Sequence, residues 1–258
     1  CPKRCKCIGF ALQCNGNFSS TVSKYSLNVK AVILQASKIK QWETGELILN
    51  LLYRLDLSYN NLMQIKYHTF EHSSNLRELD LSYNNLSSIQ PKSFASLKFL
   101  KLLSIFGNKF ILVMPYTFHG LISVVAFNLS NMCITLIQER AFCKMEMLSA
   151  LDLSMNKIQV LQEGTLFCLE ALTYMDISGN PLKYVHKHAF FNLKVLNKLD
   201  SDDAQLMCYT NLESYQDKNC IGIMNSSIKI YVTWFFCIMA TGLNFLIALF
   251  FYINAIKL

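Results

Sequence analysis

Leu55, Leu79, Leu103, Phe127, Leu151, Met175 and Leu199 follow one another at steps of 24 residues, and such a period constrains the fold more than any other feature of the chain. Around each lies the pattern L-x-x-L-x-L-x-x-N-x-L-x-x-L, as in LRELDLSYNNLSSIQPKSF from Leu76 to Phe94. A second bulky column, Phe70, Phe94, Phe118, Phe142, Leu166 and Phe190, keeps the same step. One unit supplies a short strand with alternate leucines pointing inward, then a turn whose asparagine serves backbone groups of the neighbouring coil. A lone unit cannot bury its apolar side, so the coils must stack into a solenoid with a continuous core. The asparagine column reads Asn60, Asn84, Asn108, Met132, Asn156 and Asn180. Met132 therefore predicts a local irregularity in mid-array, with Cys133 beside it. An eighth unit begins at Leu196 and fades through Ser201 and Ala204.

This pattern resembles the leucine-rich repeat, which implies an α/β solenoid, a horseshoe of about seven 24-residue units and a partial one, over residues 29–206. The segment before it, CPKRCKCIGFALQC, has the C-P-x-x-C-x-C-x6-C spacing of an N-terminal cap for such repeats. A solenoid needs a cap because its open end would expose core, and residues 1–28 are assigned that role. Four cysteines permit three connectivities. The resemblance to the cap implies Cys1 with Cys7 and Cys5 with Cys14.

The chain is 52% hydrophobic, and much of that excess lies in one run. No charged side chain occurs from Ile230 to Ile256, between Lys229 and Lys257, which exceeds the ~20 apolar residues needed to cross a bilayer. Residues 229–257 are expected to form a single transmembrane α-helix. Of the ten cysteines, nine precede the run, and their clustering argues for an oxidising compartment. The N-terminal domain is therefore expected outside the cell, anchored in the plasma membrane. The chain opens at Cys1 without a leader, as expected of a processed or excised piece. Its formal charge of +7 is spread along the sequence rather than gathered in a tract, so nucleic acid is not an expected partner.

Three features resemble the leucine-rich-repeat G-protein-coupled receptors of the relaxin-receptor type. Cys143 and Cys168 hold nearly the same place in successive coils, and coils stacked at ~4.8 Å lie within disulfide reach. The junction CYTNLESYQDKNC, with Cys208 and Cys220 expected as disulfide cysteines, is similar to that family's short hinge and is assigned residues 207–228. Within the span, Trp234 precedes Asn244 by ten residues, and a mid-membrane amide is expected to seek other transmembrane helices. The sequence departs from the family in separating Gly242 from Asn244 by Leu243. The resemblance implies a receptor for a relaxin-like peptide or protein hormone, coupled to a G protein through further helices. The alternative is a single-pass adhesion protein or accessory subunit.

No phosphate-binding G-x-x-x-x-G-K, nucleophile elbow or H-E-x-x-H occurs, so neither an enzyme nor a cofactor is expected. His186 and His188 straddle Lys187 without a third metal ligand nearby in sequence. Strand positions between the inward leucines project onto the concave face: Arg54, Asp56, Glu78, Asp80, Ser104, Asn128, Asp152, Tyr174, Asp176, Lys198 and Asp200. Two carboxylates on one strand face can share an arginine. The family resemblance implies Glu78 and Asp80 as first ligand contacts, with Asp56, Asp152 and Asp176 beside them. Asn17, Asn85, Asn128 and Asn225 satisfy N-x-S/T, and a glycan on Asn128 would obstruct the concave surface.

Overall fold

A computed structural model describes residues 1, 5–14, 29–42, 51–203 and 206. The chain divides into two compact units, Cys1–Leu212 and Glu213–Leu258, and every described residue lies in the first. The hinge 207–228 with Cys208, Cys220 and Asn225, the span 229–257 with Asn244, and the acceptor Asn17 lie outside the described residues. Among the described residues no helix is long and apolar enough to cross a membrane.

A ten-stranded sheet runs the length of the unit. Cys5–Ile8 and Ala11–Cys14 form an antiparallel hairpin, and Ala31–Ile33, Arg54–Asp56, Glu78–Asp80, Leu102–Ser104, Ala126–Asn128, Ala150–Asp152, Tyr174–Asp176 and Lys198–Asp200 follow in parallel. Register follows the period: Leu79 pairs with Leu55 and Leu103, and Leu151 with Phe127 and Met175. The inward column is buried, and behind it Phe70, Phe94, Phe118 and Phe142 form a second fully buried column. Phe70 stacks on Phe94 with ring centroids 5.8 Å apart, and Phe118 on Phe142 at 5.6 Å. The hairpin closes the first coil, with Cys1–Cys7 and Cys5–Cys14 joined by disulfides.

The expected α/β class is corrected to a β-solenoid, because no α-helix occurs among the described residues. Each coil returns through successive single turns. The N–H groups of Ser93, Leu97 and Leu100 donate to the carbonyls three residues earlier, Gln90, Phe94 and Leu97, at 3.2, 2.9 and 3.0 Å. A coil of this length has too short a return for a four-residue hydrogen-bond ladder to establish itself.

The asparagine column explains how coils adhere. Asn84 Nδ2 donates to the carbonyls of Leu57, Leu81 and Ser82, and its Oδ1 accepts from Leu62 N–H at 3.0 Å. Met132, fully buried, cannot do this. Phe110 N–H, in the place of Leu62, has no hydrogen-bond partner among the described residues. Instead the turn reshapes at Cys133, which takes a left-handed φ of 65°, and Met132 N–H joins the usual donor, Ile134 N–H, on Asn156 Oδ1. Ser37 shows the same substitution and solution, with Lys38 at φ 57° and both Ser37 and Ile39 donating to Asn60 Oδ1. Nearby, Ala126–Asn128 keeps only the Asn128↔Ser104 pairing with the preceding strand, against three with the following one.

Candidate functional site

The strand face carries two sets of charged side chains. Its aspartates are first of all structural: Oδ1 of Asp56, Asp80, Asp152 and Asp176 accepts from the backbone N–H and the hydroxyl of the serine two residues on. Asn128 does the same with Ser130. These side chains hold the strand-to-turn transition, as short polar side chains do when they bond the backbone two residues ahead. Asp56 is only 8% exposed. Asp80, Asp152 and Asp176 are half-buried, and in each the second oxygen takes no part in that turn.

Glu78 and Asp80 flank buried Leu79 on one strand. Because the sheet pairs Arg54 with Glu78, the guanidinium Nη1 lies 3.3 Å from Glu78 Oε2. Both side chains are partly open to water, so the pair contributes at most about 1 kcal/mol. Next to them is a depression of about 310 Å³, lined by Arg54, Glu78, Asp80, Leu102, Ser104 and Ala126 among others. Leu102 occupies the strand position where the preceding coils carry Arg54 and Glu78, and it is 60% exposed. Ser104 Oγ is buried without a hydrogen-bond partner among the described residues.

The second charged set closes on itself. Asp200 Oδ2 accepts from Lys198 Nζ at 2.7 Å and from the Tyr174 hydroxyl at 2.9 Å, while the ammonium lies 4.9 Å from the Tyr174 ring centre. The Lys198 hydrogen bond, then that of Tyr174, holds the Asp200 carboxyl below its ordinary range. The hydrogen bond to Asp200 is the main reason that the Tyr174 phenol is pushed up to about 12.

Away from the sheet, Cys143 and Cys168 are joined, with Cα atoms 5.0 Å apart, and Cys133 is exposed as a free thiol. Asn85 and Asn128 are exposed. His186 and His188 meet Glu163 of the preceding coil.

The leucine rich repeat family matches residues 50–110 and 147–203. Those two segments carry leucine-rich repeats. The chain is similar in fold to TLR13 in the crystal structure of the TLR13-ssRNA13 complex, with TM-score 0.64, 29% identity, and coverage of 70% of this chain and 26% of that one. It is similar in fold to Toll in the Drosophila Toll–Spatzle complex, with TM-score 0.61, 19% identity, and coverage of 76% and 30%. Human 5T4 matches with TM-score 0.59, 22% identity, and coverage of 78% and 80%. The chain thus spans less than a third of the length of the two Toll-type proteins. No curated protein matches the sequence. The disulfides fit a secreted or extracellular domain.

In this repeat protein, three features of the site escaped sequence reasoning. The serine two residues after Asp56, Asp80, Asp152 and Asp176 was visible in the sequence, yet it was the signal for a turn-holding role. Arg54 and Glu78 stand one period apart, which was enough to pair them. Leu102 breaks the polar strand-face column at the same step.

Proposed function

We propose that this domain is a cell-surface receptor ectodomain that binds a peptide or protein ligand on the strand face, at the depression beside Glu78 and Asp80. The observation that carries the reading is the exposed Leu102 set among Arg54, Glu78, Asp80 and the unpartnered Ser104 hydroxyl. A ligand arginine would take the second oxygen of Asp80 and compete with Arg54 for Glu78, while an apolar neighbour covers Leu102. Asp152 and Asp176 extend the same acidic column, and buried Asp56 supports its first turn. The solved complexes of similar proteins hold an RNA in one case and the protein Spatzle in another. Carboxylates along this face disfavour phosphates and favour a cationic protein surface.

The finer reading is anchorage in the plasma membrane by residues 229–257, a relaxin-like hormone as ligand, and coupling to a G protein through further helices. It rests on the resemblance carried by Cys143 and Cys168, the hinge with Cys208 and Cys220, and Asn244. The test is to display the full chain on cells, screen secreted peptides and proteins, and measure dissociation of the hits. Truncating one member of a buried, hydrogen-bonded charge pair costs about 2–5 kcal/mol. Glu78→Ala and Asp80→Ala are each expected to accelerate dissociation strongly, and their effects to add incompletely because both serve one cation. Lys92→Ala, at an exposed turn, is expected to do little. Dissociation indifferent to Glu78→Ala and Asp80→Ala would remove the strand-face acids from the binding site.

A further inference from the structure

The 24-residue step that builds the core also places Glu163 opposite residue 187 of the next coil, between two histidines. Glu163 Oε1 lies 3.3 Å from His188 Nδ1, and Oε2 lies 3.7 Å from His186 Nδ1. One ligand atom from each of the three residues lies within 4.8 Å of the others. In a tetrahedral zinc centre with Zn–N and Zn–O bonds of about 2.0–2.1 Å, neighbouring ligand atoms are roughly 3.3–3.4 Å apart. The three ligand atoms, all within 4.8 Å of one another, stand wider than that, and side-chain rotation at this surface would close them on one small ion.

We propose that Glu163, His186 and His188 bind a zinc-class divalent ion. Two imidazoles and one carboxylate are a borderline donor set that suits zinc, copper or nickel. Calcium, which takes six to eight oxygens, is a poor match. His186 Nδ1 is also 3.3 Å from the His188 backbone N–H, a long hydrogen bond that ligation through this nitrogen replaces. Three protein ligands leave a fourth position for water. Glu163 and His188 also line a pocket of about 270 Å³ with Phe167, Phe191 and Asn192. Phe167 and Phe191 are exposed, so an ion here stands behind an apolar rim open to solvent. Neither histidine is close in sequence to a further ligand. Only the coil step supplies Glu163.

The test uses the full chain in detergent micelles on a Cys133→Ser background, which removes the exposed thiol as a competing ligand. Zinc ions alone are titrated against a chromogenic chelator. One equivalent is expected to bind, with affinity falling at least about tenfold in Glu163→Gln, His186→Ala and His188→Ala, and staying unchanged in His68→Ala, a distant exposed histidine. Circular dichroism and melting without metal establish that each variant is folded. Cobalt ions are expected to give the intense visible bands of a tetrahedral centre in the parent and not in His186→Ala. Absence of zinc binding, or binding that persists unchanged through all three ligand substitutions in folded protein, overturns the proposal.

Discussion

Asp80 and Asp200 occupy the same position in their coils, at the end of a strand and one residue beyond an inward leucine, yet their surroundings are opposite. Oδ1 of Asp80 is held by Ser82, and beside the carboxylate lie a half-open ion pair, an exposed leucine and a buried serine hydroxyl without a partner. Oδ2 of Asp200 is claimed by both Lys198 and Tyr174. The residue is an aspartate in both coils, and the first residues of the neighbouring strands decide its use. Tyr174 and Lys198 in successive coils close a network, whereas Arg54, Glu78 and Leu102 leave an open surface. A repeat fixes where a carboxylate stands, but its neighbours one period away decide whether it is saturated within the fold or left for a partner.

The sharpest check on this difference is at the closed end. Removing the acceptor with Asp200→Asn is expected to bring the Tyr174 phenol from about 12 towards the ordinary ~10, read as the ultraviolet titration lost in Tyr174→Phe. The sign of the linkage follows. A phenol whose folded value is raised contributes stability that is complete below about pH 10 and is lost as pH rises through about 12. The lowered Asp200 contributes above its ordinary value of 3.8 and loses that contribution as pH falls through the folded value. An unshifted phenol in Asp200→Asn would break the contrast. The smaller effect concerns thermal stability. Arg54→Ala and Lys198→Ala each remove a cation from a solvent-exposed pair, and each is expected to cost no more than about 1 kcal/mol. Only Lys198→Ala should raise the Asp200 carboxyl, as seen by its chemical shift against pH.

The coil step was legible because stacking requires it: Leu79 and Leu103 must meet, and they pair in register. The same arithmetic reached the buried phenylalanine column and the irregular turn at Met132, where the missing amide forces Cys133 into a left-handed conformation. The absence of helix was harder to read, because residues 90–100 contain good helix formers beside Pro91. Their length and closure onto the next coil, rather than propensity, select single turns. For the site, residue type was legible and occupancy was not. That one Asp80 oxygen is committed to Ser82 is set locally within the LDLS turn, whereas the cation already beside Glu78 depends on atoms brought together across coils.

The central claim is that the strand face at Leu102 receives a protein ligand, and a glycan tests it without altering the acids. Leu102→Asn creates Asn-Leu-Ser ending at Ser104, and His72→Asn creates Asn-Ser-Ser on an exposed turn; a shift in mass on enzymatic deglycosylation establishes that each site is occupied. Cells displaying the Leu102→Asn chain are predicted to lose ligand binding while those displaying His72→Asn retain it. Undiminished binding with a confirmed glycan at position 102 would contradict the account.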